Sequence, residues 1–199
     1  MPTCNTSPAI RRTSVTVAVL LLIWIVAVIV TAQLGILSQL YLPIIAMMVA
    51  ATIVIPTLWY FHSSPLQAWA CSIGQCRIVA FHIWRIPAAI MFFYFGLRGE
   101  LPVAFWVIAG IGDFIAGCYA LSVTRQKQPT IKDYRRFHVV GFADFVVAVG
   151  TGFTYTVLQD PKMATITMLP MALIPLFGVG ISGASHLISF DILSNRRIQ

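Results

Sequence analysis

From Thr13 to Cys76 the chain contains no Lys, Arg, Asp or Glu. A water-soluble fold cannot surface so long a stretch without charge, whereas two consecutive bilayer crossings require it, each about 20 apolar residues long. The remainder of the 199 residues is of the same kind, with 59% hydrophobic and 10% charged residues and a mean hydropathy of +0.88. Soluble, disordered, collagen-like and disulfide-scaffold classes are excluded by that composition, and a multi-span membrane protein remains.

Matching apolar stretches to bilayer thickness predicts an all-α polytopic bundle of six transmembrane helices, at about residues 15–35, 40–61, 77–97, 102–122, 137–158 and 166–190. Residues 1–199 are read as one transmembrane domain. The first apolar run follows Arg11 and Arg12 as in a signal peptide, but its extent from Val15 to about Ala32 favours a retained crossing. Pro102 suits a first helical turn, where a missing N–H breaks no bond. Arg98 before it closes one helix and Glu100 opens the next, each matching the local end of the helix dipole. Ser63 to Cys76, with Pro65 and Trp69, reads either as an interfacial segment or as a loop.

The basic residues set the expected orientation. Thr124 to Arg136 carries Arg125, Lys127, Lys132, Arg135 and Arg136 against the single Asp133, the pattern of a cytoplasmic loop. With six spans, both termini then lie inside with Arg11, Arg12, Arg77, Arg196 and Arg197, and only Arg98 and Lys162 lie outside. This distribution over short connectors accounts for the net charge of +7 without a nucleic-acid partner. The expected location is the cytoplasmic (inner) membrane, with the lipid bilayer as partner. Cys4, Cys71, Cys76 and Cys118 form no Cys-x-x-Cys pair and are read as free thiols.

Charge inside a span is costly and marks function by default. Arg85 in the third predicted helix, Asp113 in the fourth, Asp144 in the fifth and the titratable His186 in the sixth are such groups. Helical rise places them roughly 12, 14, 10 and 6 Å from the inner ends of their helices, all in the cytoplasmic half. His82 shares a helical face with Arg85. His62 and His138 are read as ordinary interfacial histidines, and Asp191 as solvated. Facing one another, Arg85, Asp113, Asp144 and His186 sum to zero charge with a protonated imidazole and to −1 with a neutral one, so such a group exchanges a proton or a cation.

Gly110-Ile111-Gly112-Asp113-Phe114 is repeated in character by Gly141-Phe142-Ala143-Asp144-Phe145. Small residues beside each aspartate permit close helix packing and bring the carboxylates together. The sixth predicted helix, with Pro170, Pro175, Gly178, Gly180 and Gly183, is expected to be bent or locally unwound where it lines a cavity.

These elements together resemble an uncharacterised family of bacterial multi-span membrane proteins, through Arg85, Gly99-Glu100-Leu101-Pro102, Ala109 to Asp113, Gly141 with Asp144, Pro170 with Ile174-Pro175, and His186. The resemblance implies a six-helix fold and no activity. Gly110-Ile111-Gly112-Asp113 is also similar to the Gly-x-Gly-Asp motif of intramembrane aspartyl proteases, which implies Asp113 and Asp144 as a general acid and base. The order of the two aspartates is reversed relative to that family, and Ala143 stands where it has a tyrosine.

The favoured function is transport of a small polar solute or proton-linked activity at Arg85, Asp113, Asp144, His186 and His82. The alternatives are a membrane-embedded aspartyl hydrolase acting through Asp113 and Asp144, and a haem or metal redox protein using His82, His138 and His186. A purely structural ion-pair network is the remaining reading. The sequence names no cofactor, and it contains no His-Glu-x-x-His or phosphate-binding loop.

Overall fold

The computed structural model describes residues 8–194. Among these residues the fold is all-helical, and six helices are long and apolar enough to span a membrane: Pro8–Gln33, Leu42–His62, Gln75–Leu97, Val103–Thr124, Ile131–Val157 and Ile174–Ser194. Cys4, Arg196 and Arg197 lie outside the described residues. Helices are required here because hydrocarbon offers backbone N–H and C=O groups no other partner. Leu22, Ile55, Ile90, Ile115 and Val146 are exposed on the bundle's exterior, the surface that contacts lipid.

Four boundaries differ from the expectation, the first being the start of the first helix at Pro8 rather than near 15. The fifth helix starts at Ile131 rather than near 137, because Thr130 and Asp133 form a capping box. Asp133 accepts the Thr130 N–H at 2.8 Å, and the Thr130 hydroxyl oxygen accepts the Asp133 N–H at 3.3 Å. The sixth membrane helix starts at Ile174 rather than near 166, since Pro161–Thr167 is a 3-10 turn. Its first turn, Ile174–Gly178, is π-helical around Pro175, the irregularity expected of a proline- and glycine-rich entry. Finally, most of Ser63 to Cys76 is a helix, Ser64–Ile73, capped by Ser63 and ended at Gly74 with φ +80°. The third span also contains a 3-10 turn, His82–Trp84.

The third, fourth and fifth spans pack side by side in sequence order, and the sixth lies against the second and the fifth. The first span is peripheral, packed on the Ser64–Ile73 helix and joined to the sixth by the Trp24 indole, which donates to the Leu176 carbonyl at 2.8 Å. Glycines make the close contacts possible. A Cβ on Gly178 would enter the Trp84 ring, and one on Gly183 would reach Phe145.

Alternation of six spans puts the start of the first helix, the 63–74 and 125–130 connectors and the end of the sixth helix on one face. Arg11, Arg12, Arg77, Arg125 and Lys127 lie there; we call it the basic face. The opposite face carries Arg98 and Lys162. Near it, Phe92, Leu101, Phe105, Met163 and Met171 are buried in the main apolar cluster.

Candidate functional site

Arg85 follows the 3-10 turn of the third span, and its residue is 2% exposed. Its guanidinium donates from Nε to Asp113 Oδ1 at 2.5 Å, from Nη2 to Asp144 Oδ2, and from Nη1 to the Gly141 carbonyl at 3.4 Å. Three helices are thereby tied at one level. At about 1.5 Å per residue, Arg85 stands roughly 15 Å from Gln75 and Asp113 roughly 17 Å from Thr124. Both are close to the middle of their spans rather than in one half as expected, because both helices extend further toward the 63–74 and 125–130 connectors than hydropathy suggests.

The repeated glycine motif has a specific geometric use. A Cβ on Gly112 would overlap the Asp144 carboxylate, one on Gly117 would press on Ile86, and one on Gly110 would press on Phe93. The Gly-x-Gly-Asp face is therefore the surface on which the third and fifth spans approach the fourth. Gly141 does the same on its own helix, where a Cβ would come within 2.9 Å of His186 Cε1, 3.3 Å of His186 Nε2 and 3.8 Å of Arg85 Nη1.

His186 therefore neighbours the ion pairs without bonding to them. Its bond runs the other way, toward the basic face, from Nδ1 to His138 Nδ1 at 2.9 Å. His138 Nε2 pairs with Gln75 Oε1 at 3.2 Å, and His82 Nε2 with Ser185 Oγ at 3.0 Å. The expected four-membered group is thus two layers: Arg85, Asp113 and Asp144 at mid-membrane, and His82, His138 and His186 beside them. All three histidines are 0% exposed, and one ligand atom from each lies within 4.8 Å of the other two.

His138 corrects the interfacial reading. With the helix starting at Ile131, it sits roughly 10 Å inside the span instead of at its mouth. The signal was present in the sequence as Thr130-Ile131-Lys132-Asp133, a capping spacing ahead of an apolar run. His62 does end its helix exposed, bonded to the Leu58 carbonyl. Asp191 is not simply solvated, since it accepts the hydroxyl of fully buried Tyr60 at 2.7 Å. Gln75 and Ser185 were missed. Ser182, Ser185, His186 and Ser189 recur at helical spacing along one apolar span, and that polar stripe was the available clue.

On the other side of Arg85, a cavity of about 150 Å³ opens among the second, third, fourth, fifth and sixth spans. Arg85 and Asp113 form its polar end, and Phe92, Phe105, Met163 and Met171, from the half opposite the basic face, line its walls. Pro175 and Ile174 of the π-helical turn contribute to the same wall. Water activation by an aspartate pair needs two carboxylates turned on one water. Here each gives an oxygen to the bridging guanidinium.

The profile of a family described as a domain of unknown function, DUF8737, matches residues 42–194, a segment that includes both layers. Neither the curated proteins nor the solved structures give a match.

Proposed function

We propose that this chain, which belongs to the DUF8737 family, is a proton-linked membrane protein of the transport class whose working site is Arg85, Asp113 and Asp144. One observation carries the reading: the polar end of an apolar cavity is formed by Arg85 and Asp113, and the same guanidinium is paired with Asp144, so that one arginine and two carboxylates from three different helices are joined there. Their formal charges sum to −1, so the group accommodates one further positive charge, a proton or a small cation. His186 and His82 belong to the same polar interior, on the side nearer the basic face.

In this reading the cavity gives access from the face opposite the basic one, and movement of the third span relative to the fifth exchanges the partners of Asp144. Asp144 suits that role because its side chain is 21% exposed, against 12% for Asp113 and 3% for Arg85. The basic face is assigned to the cytoplasm and the bilayer to the bacterial inner membrane.

Purified protein in sealed liposomes, with a pH-sensitive dye inside and an imposed proton gradient, tests the reading. Flux should exceed that of protein-free vesicles and fall at least about 10-fold in folded Asp113→Asn and Asp144→Asn, a loss of about 1.4 kcal/mol or more in barrier terms. Asp160→Asn on the far connector should leave flux unchanged. Flux equal to that of empty vesicles, or unaltered by both core substitutions, rejects the proposal.

A further inference from the structure

We infer that His82, His138 and His186 form a binding site for one divalent transition-metal ion, held by three imidazole nitrogens between the third, fifth and sixth spans. Three neutral imidazoles with a further position left open are a recurrent ligand set for zinc and its neighbours. The ligand atoms already lie within 4.8 Å of one another on fully buried side chains.

Hydrogen bonding fixes which nitrogens are free. The single hydrogen of the Ser185 hydroxyl goes to the Ser182 carbonyl at 2.8 Å. Ser185 Oγ must then accept from His82 Nε2, which leaves His82 Nδ1 as a bare lone pair. His138 Nε2 donates to Gln75 Oε1, so its unprotonated Nδ1 accepts from His186 Nδ1–H at 2.9 Å, which leaves His186 Nε2 as a second bare lone pair; a bound ion takes the place of that shared hydrogen. An outer nitrogen tied to a side-chain oxygen, with the inner one unprotonated, is how proteins orient metal-binding histidines.

The layer is also where buried polar groups lack partners. Of the five such side-chain atoms among the described residues, His82 Nδ1, His186 Nε2 and Gln75 Nε2 belong to it, and Ser189 Oγ lies one turn beyond His186. Buried polar atoms are ordinarily satisfied, so a concentration of orphans around converging imidazoles points to a ligand. Phe81, Phe137, Phe142 and Phe190 pack around the rings, which are fully buried. The adjacent formal charge of −1 on Arg85, Asp113 and Asp144 favours a cation there. The inference does not depend on proton flux.

Full-length protein, purified in detergent and stripped with chelator, is titrated with Co²⁺ and separately with Zn²⁺. The expected result is one Co²⁺ per chain with tetrahedral-type visible absorption, displaced by Zn²⁺, and a higher melting temperature in the loaded form. His138→Ala and His186→Ala should abolish the absorption, and His62→Ala should keep it. Gln75→Ala, which retains all three ligands, should weaken Co²⁺ binding about 10–100-fold and keeps the test open should the histidine variants misfold. Absence of stoichiometric binding, binding that survives both His138→Ala and His186→Ala, binding unchanged in Gln75→Ala, or a Soret band showing haem on these histidines overturns the inference.

Discussion

Arg85 holds two carboxylates that come from different helices, and neither has another charged partner among the described salt bridges. Its removal therefore differs from its replacement as a set. Arg85→Met leaves both aspartates in a low-dielectric interior with no counter-charge, a change that costs about 3–5 kcal/mol when a buried pair is broken. Arg85→Met combined with Asp113→Asn and Asp144→Asn removes the charges together and should recover most of that loss, as read by thermal unfolding in detergent. Equal destabilisation of the single and triple variants would show that the ion pairs do not carry the effect. The three charged residues were legible in the sequence because ionisable groups inside apolar spans are conspicuous. Their convergence was expected too, and Arg85 does pair with both aspartates; the partner of His186, which is His138, was not legible, since bonding depends on how each helix is rotated about its axis.

At the scale of the element, a helix is positioned by what its small residues admit. Gly112 makes room for the Asp144 carboxylate, so Gly112→Ala must push the fifth span or its carboxylate away. The expected cost is about 1–3 kcal/mol, the range for overpacking. Gly150, where a Cβ would meet nothing within 4 Å, provides the comparison on the fifth span. Gly150→Ala should be neutral or stabilising by up to about 1 kcal/mol through helix propensity. Unfolding midpoints of the two variants check the contrast, and equal midpoints would deny the glycine face its packing role. The Asp-containing repeat was visible in the sequence, but its consequence was read only in part. Both aspartates do approach each other, and they do so through Arg85 rather than as a facing pair. The capping box at Thr130 shows the same limit from another side. A start signal of four residues moved the helix boundary by about two turns and turned His138 from a mouth residue into a buried one.

The whole molecule presents eight basic residues on its basic face within the described range, Arg11, Arg12, Arg77, Arg125, Lys127, Lys132, Arg135 and Arg136, against Arg98 and Lys162 on the other. If the positive-inside rule governs insertion, the basic face is cytoplasmic. In a chain with its four cysteines replaced by serine, Lys162→Cys should react with a membrane-impermeant maleimide in intact cells. Lys127→Cys should react only after permeabilisation. The reverse pattern would invert the assigned orientation and with it the side from which the cavity opens.

Crossing number and approximate span limits followed from sequence alone, because lipid penalises every unpaired backbone group and every charge, and that penalty is written residue by residue in hydropathy. The identity of the costly residues, Arg85, Asp113, Asp144 and His186, followed for the same reason. Tertiary packing alone decided which of them meet. Apart from the serine and histidine stripe of the sixth, the spans are apolar on nearly all sides and do not announce an inward face, and rotation is settled by glycine contacts such as Gly112 on Asp144 and Gly141 on His186. The separation into an Arg/Asp/Asp layer and a layer of three histidines arises from that rotation, together with a helix start six residues earlier than hydropathy alone suggests.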